Sequence, residues 1–367
     1  MDAILADILD LARWAPSGDN TQPWRFEVLG SRLLRVHGFD TRDHCVYDLD
    51  GHPSHLAHGA LLETLAIAAT THGLRATIQR LGGFAEEQPC WEVTLEEAPR
   101  LAPDPLAAFI KTRSVQRRPL STRPLSPEQK ATLQAAVGPE YQVQWKESFA
   151  ERLAMARLLF ANSKIRLTIP EAYQVHKAVI QWNARFSEDK IPDQALGADA
   201  LTRKLMAFVL QSWPRVEFFN TWLAGTWGPR LQLDFIPALA CGAHFLIVAP
   251  ARPRGVDDWA TAGRVVQRFW LTATSLDLKL QPAHTPLVFA AYARADLAFS
   301  NKSGAMGQAL AIRQRLIQLW GPAAEGSIFM GRVGRGAQPM SRSTRMPLEK
   351  LTHVAPTSPF TREESSP

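Results

Sequence analysis

Two stretches of the chain carry residue types and spacings that suit chemistry. The first is Ala15-Pro16-Ser17-Gly18-Asp19-Asn20-Thr21-Gln22-Pro23-Trp24. Its serine, aspartate and asparagine offer short donors and acceptors, and its glycine lets a flat ligand approach the backbone closely. The second is Arg113-Ser114-Val115-Gln116-Arg117, which sets two guanidiniums and a hydroxyl on neighbouring positions. A guanidinium presents a planar fork of donors that matches a phosphate, although the same residues taken alone also suit a solvated basic patch. Other constellations carry less. His52, His55 and His58 are three apart and can share a helix face, but no carboxylate completes a metal site. Asp48-Leu49-Asp50-Gly51 matches a fragment of a calcium loop without the glutamate pattern at the twelfth position. The chain has no Walker A loop, Gly-x-Ser-x-Gly elbow, His-Glu-x-x-His motif or dinucleotide-binding glycine fingerprint.

The elements around these stretches must position them. An amphipathic run with Ile4, Ile8, Leu11 and Ala15 at helical spacing precedes the first, and the alternating Trp24-Arg25-Phe26-Glu27-Val28 follows it. The stretch is therefore a loop between a helix (1–16) and a strand, with Pro16 stopping the helix. Residues 24–37 read as a hairpin turning at Leu29-Gly30-Ser31. Residues 56–73 read as a helix ending at Gly73, and 75–80 and 90–96 as strands. The proline-rich connector 98–105 marks a boundary. A short helix at 105–113 follows, then the Arg-Ser element, then a helix opened by Ser126-Pro127-Glu128 and running to about Val137. Residues 149–186 and 199–223 read as mostly helical. Ala243–Ala249 is a buried strand, 257–276 a long helix, Pro286–Tyr292 another strand, 304–320 a helix and Ser327–Val333 the last core strand. The tail from about Pro356 is Pro, Ser, Thr and Glu-rich and reads as disordered (356–367). Helix–loop–strand at 4–28 recurs weakly at 127–146, with Val143-Gln144-Trp145 set against Gln22-Pro23-Trp24. The chain thus reads as α+β in two related halves, 1–104 and 105–355, the second with a helical insertion at about 150–240.

Composition bounds the function. Of 367 residues, 46% are hydrophobic and 21% charged, a soluble globular balance with room for two domains. No apolar run reaches membrane-spanning length, and Met1-Asp2-Ala3 lacks the basic start of a signal peptide, so a cytoplasmic protein without membrane partners is expected. Cys45, Cys90 and Cys241 form no close pair, which argues against a disulfide framework or a zinc site. The net charge of +6 is spread along the chain. It can attract phosphate-bearing ligands without pointing to nucleic acid.

The string Ala15–Trp24 resembles the Ala-Pro-Ser-x-x-Asn-x-Gln-Pro-Trp signature of the nitroreductase-like FMN flavoproteins, and the chain is similar to their twin-domain branch. The resemblance implies a mostly antiparallel sheet flanked by helices in each half, with the two fused halves forming an intramolecular pseudo-dimer, so that a monomer suffices. It implies an FMN site built from Pro16, Ser17, Gly18 and Asn20 of one half and from Arg113, Ser114 and Arg117 of the other. Arg345, then Arg342, in Ser341-Arg342-Ser343-Thr344-Arg345, are the residues it assigns to a further grip on the phosphate. In Gln281-Pro282-Ala283-His284-Thr285-Pro286, Ala283 and His284 would lie against the flavin with a backbone N–H facing N5. The His284 side chain is expected to make a structural hydrogen bond.

The first half lacks the Arg-Ser element, and in the second Val137-Gly138-Pro139-Glu140-Tyr141 stands where the loop would repeat, so one FMN per chain is expected. The implied chemistry uses NAD(P)H as a transient donor and a small aromatic, quinone or nitro-type acceptor, with no catalytic side chain assigned. The aromatic segment 213–227 is either a lid over the flavin or packing between helices. Other readings are an FMN-holding protein with little turnover, a specialised flavin-dependent step in cofactor biosynthesis, and a basic binding protein whose flavin site is dead.

Overall fold

The computed structural model describes residues 1–223 and 225–354; the tail expected to be disordered lies outside them. Helix α1 (Ala3–Ala12) starts where the Asp2 carboxylate accepts from the amides of Ile4 and Leu5 (3.0 and 3.3 Å). Strands β1 (Trp24–Val28) and β2 (Leu33–Gly38) form the expected hairpin. Helix α2 (His52–Thr70) begins four residues before the expected start, because Gly51 in the left-handed region (φ 72°) and Pro53 set its first turn. Strands β3 (Leu74–Arg80) and β4 (Cys90–Glu97) follow. Beyond the proline-rich connector, the expected 105–113 helix is a single 3-10 turn, Pro105–Phe109.

Helix α3 (Pro127–Ala136) opens on a capping box. Ser126 Oγ accepts from the Gln129 amide and Gln129 Oε1 from the Ser126 amide. Strand β5 (Gln142–Lys146) follows, then helices α4 (Phe149–Thr168) and α5 (Pro170–Val179), divided at Pro170. Helices α6 (Ala200–Val209) and α7 (Trp213–Trp222) lead to β6 (Ala243–Val248) and the long α8 (Gly255–Ser275). Next come β7 (Lys279–Pro282), α9 (Thr285–Ala295), α10 (Ala305–Trp320), β8 (Ser327–Gly334) and β9 (Thr352–Val354).

These elements make a mixed α and β fold with two main sheets. The first has order β9-β1-β2-β4-β3, antiparallel except for the parallel pairing of β9 with β1, and the second β7-β8-β6-β5, antiparallel throughout. The chain's end thus returns to the first sheet, and β8 is not the last strand. Pro286–Tyr292, expected as a strand, lies inside α9. An apolar run of that length fits either element. The proline in the first turn and the alanines at 290, 291 and 293 favour the helix, while the neighbouring strand lies upstream in what reads as a connector.

Helices α2 and α8 cross at the centre. A Cβ on Gly59 would stand 1.8 Å from the Ala260 carbonyl oxygen, and one on Gly263 2.0 Å from that of Leu56. The two backbones touch there, and no other residue fits either position. The core of the first sheet takes Val256 and Ala260 from α8, and that of the second takes Leu56 from α2, so the crossing joins the layers. No described helix is long and apolar enough to cross a membrane. Cys45, Cys90 and Cys241 are free.

Candidate functional site

A cavity of about 380 Å³ lies beside this crossing, within the range of small-molecule sites, roughly 300–1,000 Å³. Leu56, Ala57 and Ala60 of α2 and Val266 and Trp270 of α8 give it an apolar wall. Ten of the eleven residues singled out in the sequence line it: Pro16, Ser17, Gly18 and Asn20; Arg113, Ser114 and Arg117; His284; Arg342 and Arg345. Ala283 does not.

The 16–22 loop takes its shape from backbone conformations that asparagine and aspartate tolerate best. Asp19, Asn20 and Gln22 have φ of 50°, 65° and 48°. Ser17 Oγ accepts from the Gln22 amide (3.0 Å), which leaves its proton to donate. Asn20 and Gln22 both donate side-chain amides to the Glu188 carbonyl (3.0 and 2.8 Å), and Gln22 Oε1 accepts from the Met346 amide. The asparagine therefore ties the loop to residues 188–190, while its buried Oδ1 has no partner. A Cβ on Gly18 would meet nothing within 4 Å. Gly18 therefore leaves open space, and its conformation does not require glycine.

Three arginines gather at one part of the wall. Arg113 is buried, donates to the Trp14 carbonyl (2.9 Å) and lies 4.6 Å over the Trp270 ring. Arg345, also buried, donates to the carbonyls of Ala15 (3.0 and 2.9 Å) and Thr344 (2.7 Å). Arg342 donates to those of Lys111 (2.9 Å) and Arg113 (3.2 Å). Every partner is a neutral carbonyl, and among the described residues no carboxylate pairs with any of the three; Asp10 pairs with Arg13 and Lys111 instead. Burial, and then the mutual charge of Arg345 and Arg342, hold Arg113 well below the usual arginine range. Burial first, with Arg342 and Arg13 adding to it, brings Arg345 down to about 9. Nε of Arg113 is buried without a partner. Charges placed this way are costly without a counter-ion.

The 113–118 loop is held by a residue that the sequence reading passed over. Arg332, on β8, donates to the carbonyls of Gln116, Arg117 and Arg118 (3.3, 2.8 and 2.9 Å) and to Gln281 Oε1 (2.7 Å). The loop also bridges to β7 through Val115 and Leu280. A lone arginine in the apolar Ile328-Phe329-Met330-Gly331-Arg332-Val333 was the available signal, since a charge is rarely buried without a specific partner.

The Ala283 amide donates to the Met330 carbonyl (2.8 Å), which removes Ala283 as a free backbone donor. The donors that remain belong to the start of α9. His284 caps that helix and Thr285 is its first residue, where amides lack intrahelical partners. His284 Nδ1 is buried with no partner, so the structural hydrogen bond expected of it is not found for that atom, and burial lowers its pKa to about 4, keeping the ring neutral.

Further polar side chains line the cavity that nothing in the sequence marked. Tyr47 Oη and His176 Nε2 are 3.0 Å apart, and Arg166 of α4 pairs with Asp234 (3.4 Å). The described residues of the aromatic segment 213–227 contribute nothing to the cavity lining. Phe218, Trp222 and Trp227 face outward, half or more exposed, so the segment is not a lid over this cavity. Among the described residues no group of histidine, cysteine and carboxylate side chains is arranged to hold a metal.

Compared with known proteins, the chain matches no protein-family model and no curated protein.

Proposed function

We propose that the chain is an FMN-dependent oxidoreductase of the nitroreductase-like class, holding one FMN and passing electrons from NAD(P)H to a small aromatic, quinone or nitro-type acceptor. The observation that carries this reading is the trio of buried Arg113 and Arg345 with half-buried Arg342, all lacking a described carboxylate, on a cavity also walled by the Pro16–Asn20 loop. A phosphate dianion is the ligand such a trio fits, because charge-assisted bonds from planar guanidiniums offset the cost of their burial. Ser114, also on the cavity wall, brings a hydroxyl donor. The apolar wall of Leu56, Ala57, Ala60, Val266 and Trp270 suits a flat ring system, and the first amides of α9 offer backbone donors at its edge.

When bound, FMN would supply the hydride and electron chemistry. The chain's residues bind it, orient it and exclude water. None of the neutral histidines of the cavity is needed as a proton source in this reading.

The twin-half interpretation belongs to the same proposal. Each sheet leans on one of the two crossing helices, the Pro16–Asn20 loop comes from the first layer, and the Arg-Ser element is clamped to the second by Arg332. One chain therefore supplies both contributions and has no need of a partner for this site. The turn 137–141, where a second loop would stand, does not line the cavity.

The test is a visible absorption spectrum of the purified protein, supplemented with FMN if colourless, then repeated with NAD(P)H under anaerobic conditions. Near-stoichiometric flavin bands that bleach are the expected result. Bands that persist would assign the chain to FMN holding, and absence of binding would remove the reading altogether.

A further inference from the structure

The cavity has a second polar region, of which the FMN reading claims only Arg117. Arg113 shares its electrostatic environment with Arg342 and Arg345, whereas Asp19 shares its own with Arg117 and Arg166. In this second region Arg166 lines the cavity, bonds Asp234 through one of its five N–H groups (3.4 Å) and lies within hydrogen-bonding reach of the Tyr47 hydroxyl. Tyr47 stands beside it, fixed by His176 at 3.0 Å. Arg117 uses one N–H on the Ala195 carbonyl (3.2 Å). The two guanidiniums face two carboxylates, Asp19 and Asp234, and with the Tyr47 hydroxyl their N–H and O–H donors outnumber the acceptors. An apolar wall faces them: Val179, Ile180, Ile191 and Leu196, of which Ile180 and Ile191 are paired across two short parallel strands.

Resting on the FMN reading, we propose that Arg166 and Tyr47 form the subsite for the second ligand. That ligand is a flat aromatic compound whose carboxylate or comparable anionic oxygen is held by the Arg166 guanidinium and the Tyr47 hydroxyl, with its ring against Val179, Ile180 and Ile191. His176 acts as a positioning residue for the tyrosine. Residues 166–191 of the insertion, together with Tyr47, thereby set substrate class, while the Pro16–Asn20 loop and Arg113, Arg342 and Arg345 hold the cofactor.

The probes are benzoate and benzyl alcohol, which share the ring and differ in the carboxylate, titrated into the FMN-loaded protein and followed by the flavin spectrum. The wild type is expected to prefer benzoate. Tyr47→Phe should weaken benzoate several-fold, and Arg166→Gln combined with Asp234→Asn, which removes both charges of the pair, about tenfold or more. Benzyl alcohol and FMN affinities should stay unchanged. Equal binding of the two probes by the wild type, or a benzoate preference that survives both variants, overturns the proposal. A loss of FMN affinity in place of benzoate affinity overturns it too, by assigning these groups to the cofactor. If FMN never binds, the same titration by calorimetry on the cofactor-free protein tests the subsite separately, and the benzoate preference and its loss in the variants carry the same meaning.

Discussion

Helix α8 serves two arginine-rich regions that solve the same electrostatic problem differently. On one side Arg264 and Arg268 reach Glu63 of α2 (2.8 Å each), and Arg268 also reaches Asp104 (3.0 Å). Each guanidinium there has a carboxylate, and the network crosses between the helices. On the cavity side, Trp270 of the same helix lies under Arg113, and Arg113, Arg342 and Arg345 find only carbonyl oxygens and aromatic faces. Carbonyl dipoles and π faces stabilise a guanidinium without cancelling its charge. The first region is complete in itself and belongs to the fold. The second leaves net positive charge on a cavity wall, which is how a site for an anionic ligand differs from a structural network.

The most damaging change strikes the frame that both regions share. Gly59→Val would drive a side chain into the Ala260 carbonyl and force α2 and α8 apart. The expected loss exceeds about 4 kcal/mol, enough to abolish cooperative unfolding at ordinary temperature. A thermal melt close to that of the wild type would show that the crossing is not as tight as its geometry states.

The next two substitutions separate the regions. Glu63→Gln leaves two half-exposed guanidiniums without their shared carboxylate and should cost about 1–2 kcal/mol of stability by urea denaturation, Arg268 keeping Asp104. FMN affinity should stay within about twofold. Arg113→Ala or Arg345→Ala should do the reverse. Each removes a charge-assisted contact of roughly 1.5–3 kcal/mol, weakening FMN about ten- to a hundredfold, while the cofactor-free protein loses little stability because like-charge repulsion is relieved. Should Glu63→Gln weaken FMN as much as Arg113→Ala does, the division into a structural and a ligand region fails.

Legibility in the sequence followed the range of the interactions involved. The β1–β2 hairpin and the α3 cap are local, and Leu29-Gly30-Ser31 and Ser126-Pro127 announce them. Of the ten site candidates that meet at one cavity, seven belong to two short strings with unusual combinations of residues, and His284, Arg342 and Arg345 follow from the family resemblance. What escaped depends on distant partners. The apolar run 286–292 holds no local signal that separates strand from helix. Ala283 loses its amide to Met330, 47 residues further along the chain, which no spacing rule foretells. Tyr47, Arg166 and His176 are ordinary residues on three separate elements, brought together only by packing.

The smallest effect concerns α2 itself, between the two regions. His55 is buried with both ring nitrogens unpaired, and burial, with His58 nearby, lowers its pKa to about 3. In the unfolded chain it titrates near 6.5. The unfolded state therefore takes up the proton first as pH falls, and the contribution of His55 to stability, fully present above pH 6.5, is lost progressively down to about pH 3. Between pH 7 and pH 5 the loss from this one residue is about 2 kcal/mol, since a pH unit in this window is worth about 1.4 kcal/mol. His55→Leu should flatten the pH dependence of the melting temperature by that amount. It should not lower stability at pH 7, because it removes two unsatisfied polar atoms of a buried ring. FMN affinity should be indifferent to the change, as His55 does not line the cavity. A steeper acid slope in the variant would mean that His55 is protonated in the folded protein and that a charged partner holds it, bringing α2 into the ligand region's electrostatics.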